Sequence, residues 1–335
     1  MTDQDEIRIA DRGRINIHYL KEIWHYYQQI KLNSAETKTV EWKYITGVFN
    51  ALDIGIEPTI KYLLNYNNSF EQFENWIEEN GKVSQPVIDQ FNAIVNNECD
   101  IKTLPEEKVF SQTELEQWEQ DGYIILKKAI SKVDCQKTVD LVYDTINANE
   151  YDSNTWYVDH PLKQGIMVQL FNSTIIDSNR LSKKIQLAYR QLWNRNDLLP
   201  SMDRVSFNPP ESESYKFPGP NLHWDVSLKR PIPFGLQGLL YLSNTDENQG
   251  AFTVVPGFHK NIEEWLSTLG EDQNPRDINL LSKFKKKPIA AEAGDLIIWH
   301  QCLPHGSSPN TSTKPRIVQY INYQPLSFEY QTEWI

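Results

Sequence analysis

The 335-residue sequence has only three cysteines, Cys99, Cys135 and Cys302, which are widely spaced and form no Cys-x-x-Cys pair. Such a set argues against a disulfide framework or a cysteine-built zinc site. The chain also lacks any run of about 18 apolar residues, so no membrane-spanning helix is expected. Basic residues are in deficit, with 33 Lys and Arg against 45 Asp and Glu and a net charge of -12. This charge disfavours nucleic acid or an anionic membrane as the main partner.

The first residues, 1–6, are polar and acidic, and they lack the basic and then apolar layout of a signal peptide. We therefore expect a cytoplasmic protein. Hydrophobic residues make up 39% of the chain and aromatic residues 12%, which is too apolar for a disordered protein. The length allows one large domain and a smaller one.

Apolar residues recur at helical spacing through residues 1–100, which predicts a helical accessory region. Ser69 and Gln72 form a Ser-x-x-Gln capping box, and Gly81 is expected to close the helix that follows. No chemical motif stands out in this part of the chain. It is a possible docking surface for a carrier or a protein.

A polar link around residues 96–107 marks the expected start of a second domain, 101–335. Gly122 is expected to stop a helix that begins at Thr113, and a short strand follows. After Pro200 the sequence turns to short β-rich runs separated by Pro, Gly and Asn, which indicates a sandwich, barrel or jelly roll. These runs are 204–207, 222–226, 236–242, 252–255, 296–299 and 317–323. A polar insertion at 257–288 is of the kind that often forms an active-site wall.

His223 and Asp225 lie two residues apart in the predicted strand 222–226. Side chains two apart on a strand share a face, so the imidazole and the carboxylate converge while Trp224 points away. Two histidines and one carboxylate form the facial triad of non-haem Fe(II) oxygenases, which leaves one face of the metal open. The pair alone does not establish a metal site, because a chain with seven histidines can contain it by chance.

A second motif, HGSSPNTSTKPR at 305–316, follows an apolar run and opens the last strand. His305 would be the third metal ligand. Arg316, eleven residues later, carries a planar and permanently charged guanidinium that recognises a carboxylate through two hydrogen bonds. This chemistry suits the distal carboxylate of 2-oxoglutarate.

With these residues identified, the sequence resembles the phytanoyl-CoA dioxygenase-like family of Fe(II)- and 2-oxoglutarate-dependent oxygenases. The resemblance rests on HWD at 223–225, on the segment 305–316 and on QGAFTVVPGFHK at 249–260, and it covers residues 110–325. In the last motif Phe258 replaces the family's usual small residue. The N-terminal hundred residues lie outside the resemblance.

The resemblance implies an α+β protein built on a double-stranded β-helix, a cupin-like jelly roll with flanking helices. It implies that His223, Asp225 and His305 bind Fe(II), that Arg316 binds 2-oxoglutarate, and that O2 is the oxidant. Ser307 is a further hydrogen-bonding candidate for the cosubstrate. Relatives that halogenate have a small residue at the position of Asp225, so the carboxylate here favours hydroxylation.

Four polar residues are candidates for the pocket because they lie among apolar residues in predicted strands or apolar runs. Arg204, Ser206 and Asn208 alternate with apolar residues, and Gln169 lies inside an apolar run, where a buried and satisfied amide is the alternative. Trp224 completes the set of candidate pocket residues.

The expected substrate is a small molecule, such as an amino acid or a specialised metabolite. One alternative is a protein- or carrier-bound substrate docked through residues 1–100. The other is a non-catalytic jelly-roll protein that retains the metal site.

Overall fold

A computed structural model of the chain describes residues 12–33, 39–99, 105–219, 222–270, 272–331 and 333–335. Residues 1–6, which carried the expectation about a signal peptide, and part of the predicted link at 96–107 lie outside these ranges. The chain divides into two compact units. The first comprises residues 1–104, 193–202 and 323–330, and the second comprises 105–192, 203–322 and 331–335.

The described residues of the first unit form five helices around an apolar core. They are α1 (Leu20–Lys31), α2 (Trp42–Ala51), α3 (Ile56–Asn65), α4 (Phe70–Asn80) and α5 (Gln85–Val95). Phe49, Phe73 and Phe91 are fully buried in the core, as the helical periodicity of the sequence requires. Two short segments that the sequence assigned to the second domain, 193–202 and 323–330, belong to this unit.

Local sequence signals set the ends of several helices. The Ser69 hydroxyl accepts from the backbone N–H of Gln72 and the Gln72 side chain accepts from that of Ser69, so the predicted capping box is confirmed. Gly81 caps the end of α4. Ile15 and Tyr19 continue the helical spacing of the apolar residues, but they lie outside the helix: Tyr19 has a left-handed φ of 69° and α1 begins after it.

The second unit contains the remaining helices and most of the strands. Its helices are α6 (Gln112–Asp121), α7 (Lys132–Thr145), α8 (Thr174–Arg180), α9 (Lys183–Trp193, whose last residue belongs to the first unit), α10 (Ile262–Thr268) and α11 (Ile278–Leu281), with 3-10 turns at Ser153–Tyr157 and Phe258–Lys260. Gly122 ends α6 with a φ of 75°, which confirms the predicted stop.

Twelve short strands occur in the described residues. They are β1 (Tyr123–Leu126), β2 (Lys163–Gln164), β3 (Met167–Val168), β4 (Leu198–Pro200), β5 (Val205–Asn208), β6 (Leu236–Tyr241), β7 (Phe252–Val254), β8 (Lys287–Pro288), β9 (Leu296–His300), β10 (His305–Ser307), β11 (Arg316–Tyr320) and β12 (Tyr323–Pro325). The pair β12–β4 lies in the first unit.

Two antiparallel sheets of the second unit position the candidate site. One has seven strands in the order β1-β9-β6-β11-β5-β3-β2, and the other has three in the order β10-β7-β8. Alternate residues of β6, β7, β9 and β11 form a single buried cluster that includes Leu239, Val254, Ile297 and Val318. Their neighbours in sequence point to the opposite face, because the side-chain period of a strand is two.

The predicted strand at 222–226 is wrong in its extent. Only His223 pairs with another strand, in a single bridge to His305. The carbonyls of Trp224 and Val226 instead accept hydrogen bonds from the guanidinium of Arg276, at 2.7 and 2.6 Å. A side chain from a distant segment therefore satisfies the backbone that a neighbouring strand would otherwise have paired.

Cys135 and Cys302 are buried and form no disulfide. None of the helices that the structure describes combines the length and apolar character needed to cross a membrane.

Candidate metal centre

The second unit contains a cavity of about 380 Å³. Its lining comes from strands and loops of both sheets. The lining residues are Ile166, Met167, Asp203, Arg204, His223, Asp225, Gln237, Phe252, Trp299, His305, Gly306, Ser307, Tyr320 and Asn322. The described residues of the insertion at 257–288 contribute none of them, so this part of the insertion does not form the cavity wall that its sequence led us to expect.

His223, Asp225 and His305 meet at this cavity, with their ligand atoms all within 4.8 Å of one another. Nε2 of His223 lies 3.3 Å from Oδ1 of Asp225, and Nε2 of His305 lies 3.1 Å from Oδ2. The side chains of His223 and Asp225 thus converge, although the segment between them is not a regular strand. Two imidazoles and one carboxylate around one point are the donor set of a 2-His-1-carboxylate metal site.

Backbone pairing holds the two histidines together. His223 and His305 exchange both main-chain hydrogen bonds, at 2.8 and 3.0 Å, so their side chains emerge at matched positions. Nδ1 of His305 lies 3.0 Å from the carbonyl oxygen of Leu303. Because a carbonyl can only accept, Nδ1 carries the proton and Nε2 is the nitrogen that can bind a metal.

The Asp225 carboxylate is oriented by a chain of two hydrogen bonds. The indole N–H of Trp299 donates to Oε1 of Gln237 at 3.0 Å, and Nε2 of Gln237 donates to Oδ2 of Asp225 at 2.9 Å. Since an indole nitrogen is only a donor, it fixes which end of the Gln237 amide faces Asp225.

The same carboxylate is held in its ionised form. Enclosure by protein acts to raise the pKa of the Asp225 carboxyl, but hydrogen bonds and positive charge from His223 and His305 outweigh it and hold that pKa well below its usual range. An ionised carboxylate is the state that binds a metal ion.

Arg316 lies behind the cavity wall and is fully buried. Its Nη1 donates to the hydroxyl of Ser307 at 3.0 Å, and its Nη2 donates to the hydroxyl of Ser206 at 3.1 Å. Nε has no hydrogen-bond partner. Among the residues that the structure describes, no carboxylate forms an ion pair with this guanidinium, so its charge is buried without a counterion.

These residues fit a non-haem iron and a dicarboxylate cosubstrate. When the Nε2 protons of His223 and His305 are lost to make room for a metal, the cluster offers two neutral nitrogens and one anionic oxygen, which suits Fe(II). Burying an arginine with an unused donor and no counterion costs folding free energy unless an anion binds to it. A carboxylate matches the planar geometry of the guanidinium.

The other candidate pocket residues fall in different places. Arg204 lines the cavity, and Ser206 contacts Arg316 as described. Asn208 is buried beside the carbonyl of Ser308, 3.4 Å from its Nδ2. Gln169 donates to Gln164 at 2.8 Å and is not a lining residue.

Trp224 faces away from the cavity. It is buried in a separate apolar cluster with Leu228 and Ile262, and its indole donates to the carbonyl of Cys302. Its place among the candidate pocket residues is therefore corrected. The reason is the alternation of side chains that brings His223 and Asp225 together and sends the residue between them to the other side.

Sequence reasoning missed Gln237, Trp299 and Arg276. One signal was present, because Gln237 is the single amide in the otherwise apolar strand LQGLLY. Nothing in the polar segment around Arg276 indicated that its side chain reaches the backbone on both sides of Asp225.

Comparison with known proteins bears mainly on the second unit. The family model of phytanoyl-CoA dioxygenase (PhyH) matches residues 118–318, well over half of the chain. A Dictyostelium discoideum protein named as a phytanoyl-CoA dioxygenase is 25% identical over 264 residues, which cover 63% of this chain and 74% of that protein. The 2-aminoethylphosphonate dioxygenase of an uncultured bacterium is 22% identical over 227 residues, which cover 65% of this chain and 83% of that enzyme.

Among solved structures, EctD from S. alaskensis with 2-oxoglutarate and 5-hydroxyectoine is similar to this chain with a TM-score of 0.50. The match has 17% sequence identity and covers 69% of this chain and 81% of that one. At this identity the likeness concerns the fold.

Proposed function

The chain belongs to the phytanoyl-CoA dioxygenase (PhyH) family and is an Fe(II)- and 2-oxoglutarate-dependent oxygenase, and from this premise we propose that it hydroxylates a small molecule. Its cofactors are Fe(II), 2-oxoglutarate and O2. The observation that carries the proposal is the convergence of His223, Asp225 and His305 in one cavity. Ser307 links the wall of that cavity to the buried charge of Arg316.

We further propose that the second unit is the dioxygenase domain and the first unit an accessory region. In this proposal the seven-stranded and three-stranded sheets form a double-stranded β-helix. Antiparallel pairing throughout both sheets and the likeness to EctD support it. The His223–His305 bridge joins the segment of the first ligand to β10 of the smaller sheet.

In the proposed site, His223, Asp225 and His305 hold the iron, and Arg316 holds the far carboxylate of 2-oxoglutarate with Ser307 beside it. When bound, the iron and its cosubstrate supply the oxidation of a substrate C–H bond by O2, with 2-oxoglutarate converted to succinate and carbon dioxide. Hydroxylation is favoured over halogenation because Asp225 supplies a carboxylate ligand where halogenating relatives have a small residue.

The protein's own contribution is position and enclosure. Gln237 and Trp299 hold Asp225 in one orientation, and the His305 tautomer is set by the carbonyl of Leu303. Ile166, Met167 and Phe252 line the cavity with apolar surface, against which the hydrocarbon part of a substrate can pack.

A small-molecule substrate agrees with the cavity of about 380 Å³ and with a relative named for its action on 2-aminoethylphosphonate. Docking of a carrier or protein through residues 1–100 has no support from the comparisons. The cytoplasmic location remains a prediction.

The test is release of succinate from 2-oxoglutarate with Fe(II), measured for the wild-type protein, His223→Ala and His160→Ala. His160 is a matched control, because it contacts Asn147 on the surface and lies outside the cluster. We expect turnover to persist in His160→Ala and to be lost in His223→Ala. Equal turnover in His223→Ala and the wild type would contradict the ligand assignment. Failure of the anaerobic Fe(II) protein to bind 2-oxoglutarate in calorimetry would favour a non-catalytic jelly-roll protein.

A further inference from the structure

Arg204 lies partly buried on the cavity wall, and its guanidinium has no hydrogen-bond or ion-pair partner among the residues that the structure describes. Its guanidinium carbon lies over the ring of Phe171, 5.8 Å from the ring centre. A cation–π contact of this kind attracts the guanidinium to the ring face and leaves its N–H groups free to donate. A guanidinium stays charged at every pH the folded protein meets.

The backbone around Arg204 is fixed by strand pairing, so its side chain leaves the wall from a defined point. Its carbonyl accepts from the N–H of Tyr320 at 3.0 Å, which extends the pairing of β5 with β11 by one residue. Ser206, two residues further along, points to the same face and contacts Arg316. Arg316 is fully buried and is not a lining residue, whereas Arg204 lines the cavity, so the two arginines occupy different positions.

No carboxylate among the lining residues neutralises the positive charge of Arg204. Asp225 belongs to the metal cluster, and a bound metal ion would take up its charge. Asp203, the other acidic lining residue, accepts from Nδ2 of Asn322 at 2.6 Å and forms no ion pair with Arg204. No other carboxylate stands among the lining residues.

We propose that Arg204 forms an anion subsite for the substrate, so that the substrate of this oxygenase is a small acid. Its carboxylate, phosphonate or phosphate group would accept paired hydrogen bonds from the Arg204 guanidinium. Its hydrocarbon part would lie against Ile166, Met167 and Phe252, towards the metal cluster. The inference rests on the proposed function, because it assigns a substrate class to the same cavity.

The experiment uses the full-length protein loaded anaerobically with Fe(II) and 2-oxoglutarate, with calorimetry as the readout. The probes are propionate, methylphosphonate and propionamide; propionamide has the shape of propionate without its charge. We expect the wild-type protein to bind at least one of the two anions about tenfold or more tightly than propionamide. A hydrogen bond to a charged group contributes about this much affinity. Propionate and methylphosphonate together distinguish a carboxylate site from a phosphonate site.

Arg204→Gln is expected to remove this preference, and Arg204→Lys to retain part of it through its charge. Arg14→Gln removes the same charge in the first unit, where Arg14 pairs with Glu78, and should leave the preference intact. Circular dichroism checks that each variant is folded.

Three outcomes overturn the inference in distinguishable ways. If 2-oxoglutarate itself does not bind to the Fe(II) protein, the proposed function fails and the inference fails with it. If 2-oxoglutarate binds but the wild-type protein and Arg204→Gln treat the three probes alike, only the inference fails. If Arg204→Gln weakens the binding of 2-oxoglutarate and leaves the binding of the three probes unchanged, Arg204 belongs to the cosubstrate site and the inference is wrong.

Discussion

The side-chain amide of Gln237 donates a hydrogen bond to the carboxylate of Asp225 over 2.9 Å, and no alternative orientation of that amide is compatible with its other partner. Trp299, paired with Gln237 across β6 and β9, requires an acceptor and so takes the carbonyl end of the amide. The carboxylate of the proposed iron site is thus oriented from the neighbouring strands.

Gln237→Leu should weaken Fe(II) binding by about tenfold or more, the usual effect of removing a residue that orients a metal ligand. Trp299→Phe removes only the indole donor and should have a smaller effect in the same direction, because the amide then becomes free to rotate. The measurement is an anaerobic competition titration for Fe(II). Unchanged affinity in both variants would show that Asp225 needs no such support.

A second prediction concerns Arg276, whose guanidinium donates to the carbonyls of Trp224 and Val226 on either side of Asp225. Arg276→Gln leaves these carbonyls without their donors, so the ligand segment should loosen. We expect weaker Fe(II) binding and a loss of about 1–3 kcal/mol in the free energy of unfolding.

Arg230→Gln is the matched control for this change, because Arg230 donates to the hydroxyl of Ser267 and contacts neither carbonyl. Arg276→Lys should restore part of the metal affinity, since an ammonium can reach one carbonyl at a time. Metal binding that is equal in Arg276→Gln and Arg230→Gln would refute the positioning role.

The third prediction separates function from stability at Arg316. Removal of one partner of a buried ion pair normally destabilises a protein by about 3–5 kcal/mol. Arg316 has serine hydroxyls as partners and no counterion among the described residues. Arg316→Met should therefore abolish 2-oxoglutarate binding while leaving the unfolding free energy of the ligand-free protein unchanged or higher.

Calorimetry with 2-oxoglutarate tests the loss of binding. Urea unfolding of the ligand-free variant tests the retained stability. Ser307→Ala should weaken the binding of 2-oxoglutarate. Ser308→Ala should leave it unchanged, because the Ser308 hydroxyl donates to the carbonyl of Ala251 instead. A large loss of stability in Arg316→Met would identify Arg316 as a structural residue.

The fourth prediction is a pH dependence of stability from His300. Burial, together with the nearby His259, lowers the pKa of His300 to about 4. Its Nδ1 accepts from the N–H of Cys302, which also favours the neutral ring. A histidine in the unfolded chain has a pKa of about 6.5. Between pH 6.5 and 4 the unfolded chain therefore binds a proton at His300 that the folded protein does not bind. The stabilisation is complete above pH about 6.5 and is lost as the pH falls towards 4.

From pH 7 to 5 this difference amounts to about 2 kcal/mol in the free energy of unfolding. His300→Asn keeps an acceptor near the position of Nδ1 and removes the titration. Urea unfolding of both metal-free proteins at pH 7 and pH 5 should show the larger decline in the wild type. Parallel declines would mean that His300 does not contribute.

Much of the chain's local structure follows from neighbouring residues. The Ser69–Gln72 capping box, the stop at Gly122 and the strand that follows it all depend on contacts within a few positions, and the structure confirms them. The family, the enzyme class and the cofactors also follow from short motifs, because 2-oxoglutarate chemistry needs a small set of residue types at fixed spacings.

Other features depended on residues far apart in the chain. The sequence could not reveal that Arg276 replaces a strand beside Asp225, since its partners Trp224 and Val226 are 52 and 50 residues away. Nor could it reveal that the described residues of the insertion at 257–288 lie off the cavity, or that 193–202 and 323–330 join the helical unit. Such contacts depend on which surfaces meet when the sheets pack.

By itself, the sequence determined which donors exist: two histidines and an aspartate for a metal, and an arginine for a carboxylate. Tertiary structure alone decided which of them converge, which amide orients Asp225, and which arginine on the cavity wall is left without a counterion. The physical reason is that donor chemistry resides in each side chain, whereas orientation and uncompensated charge arise only from the neighbours that folding supplies.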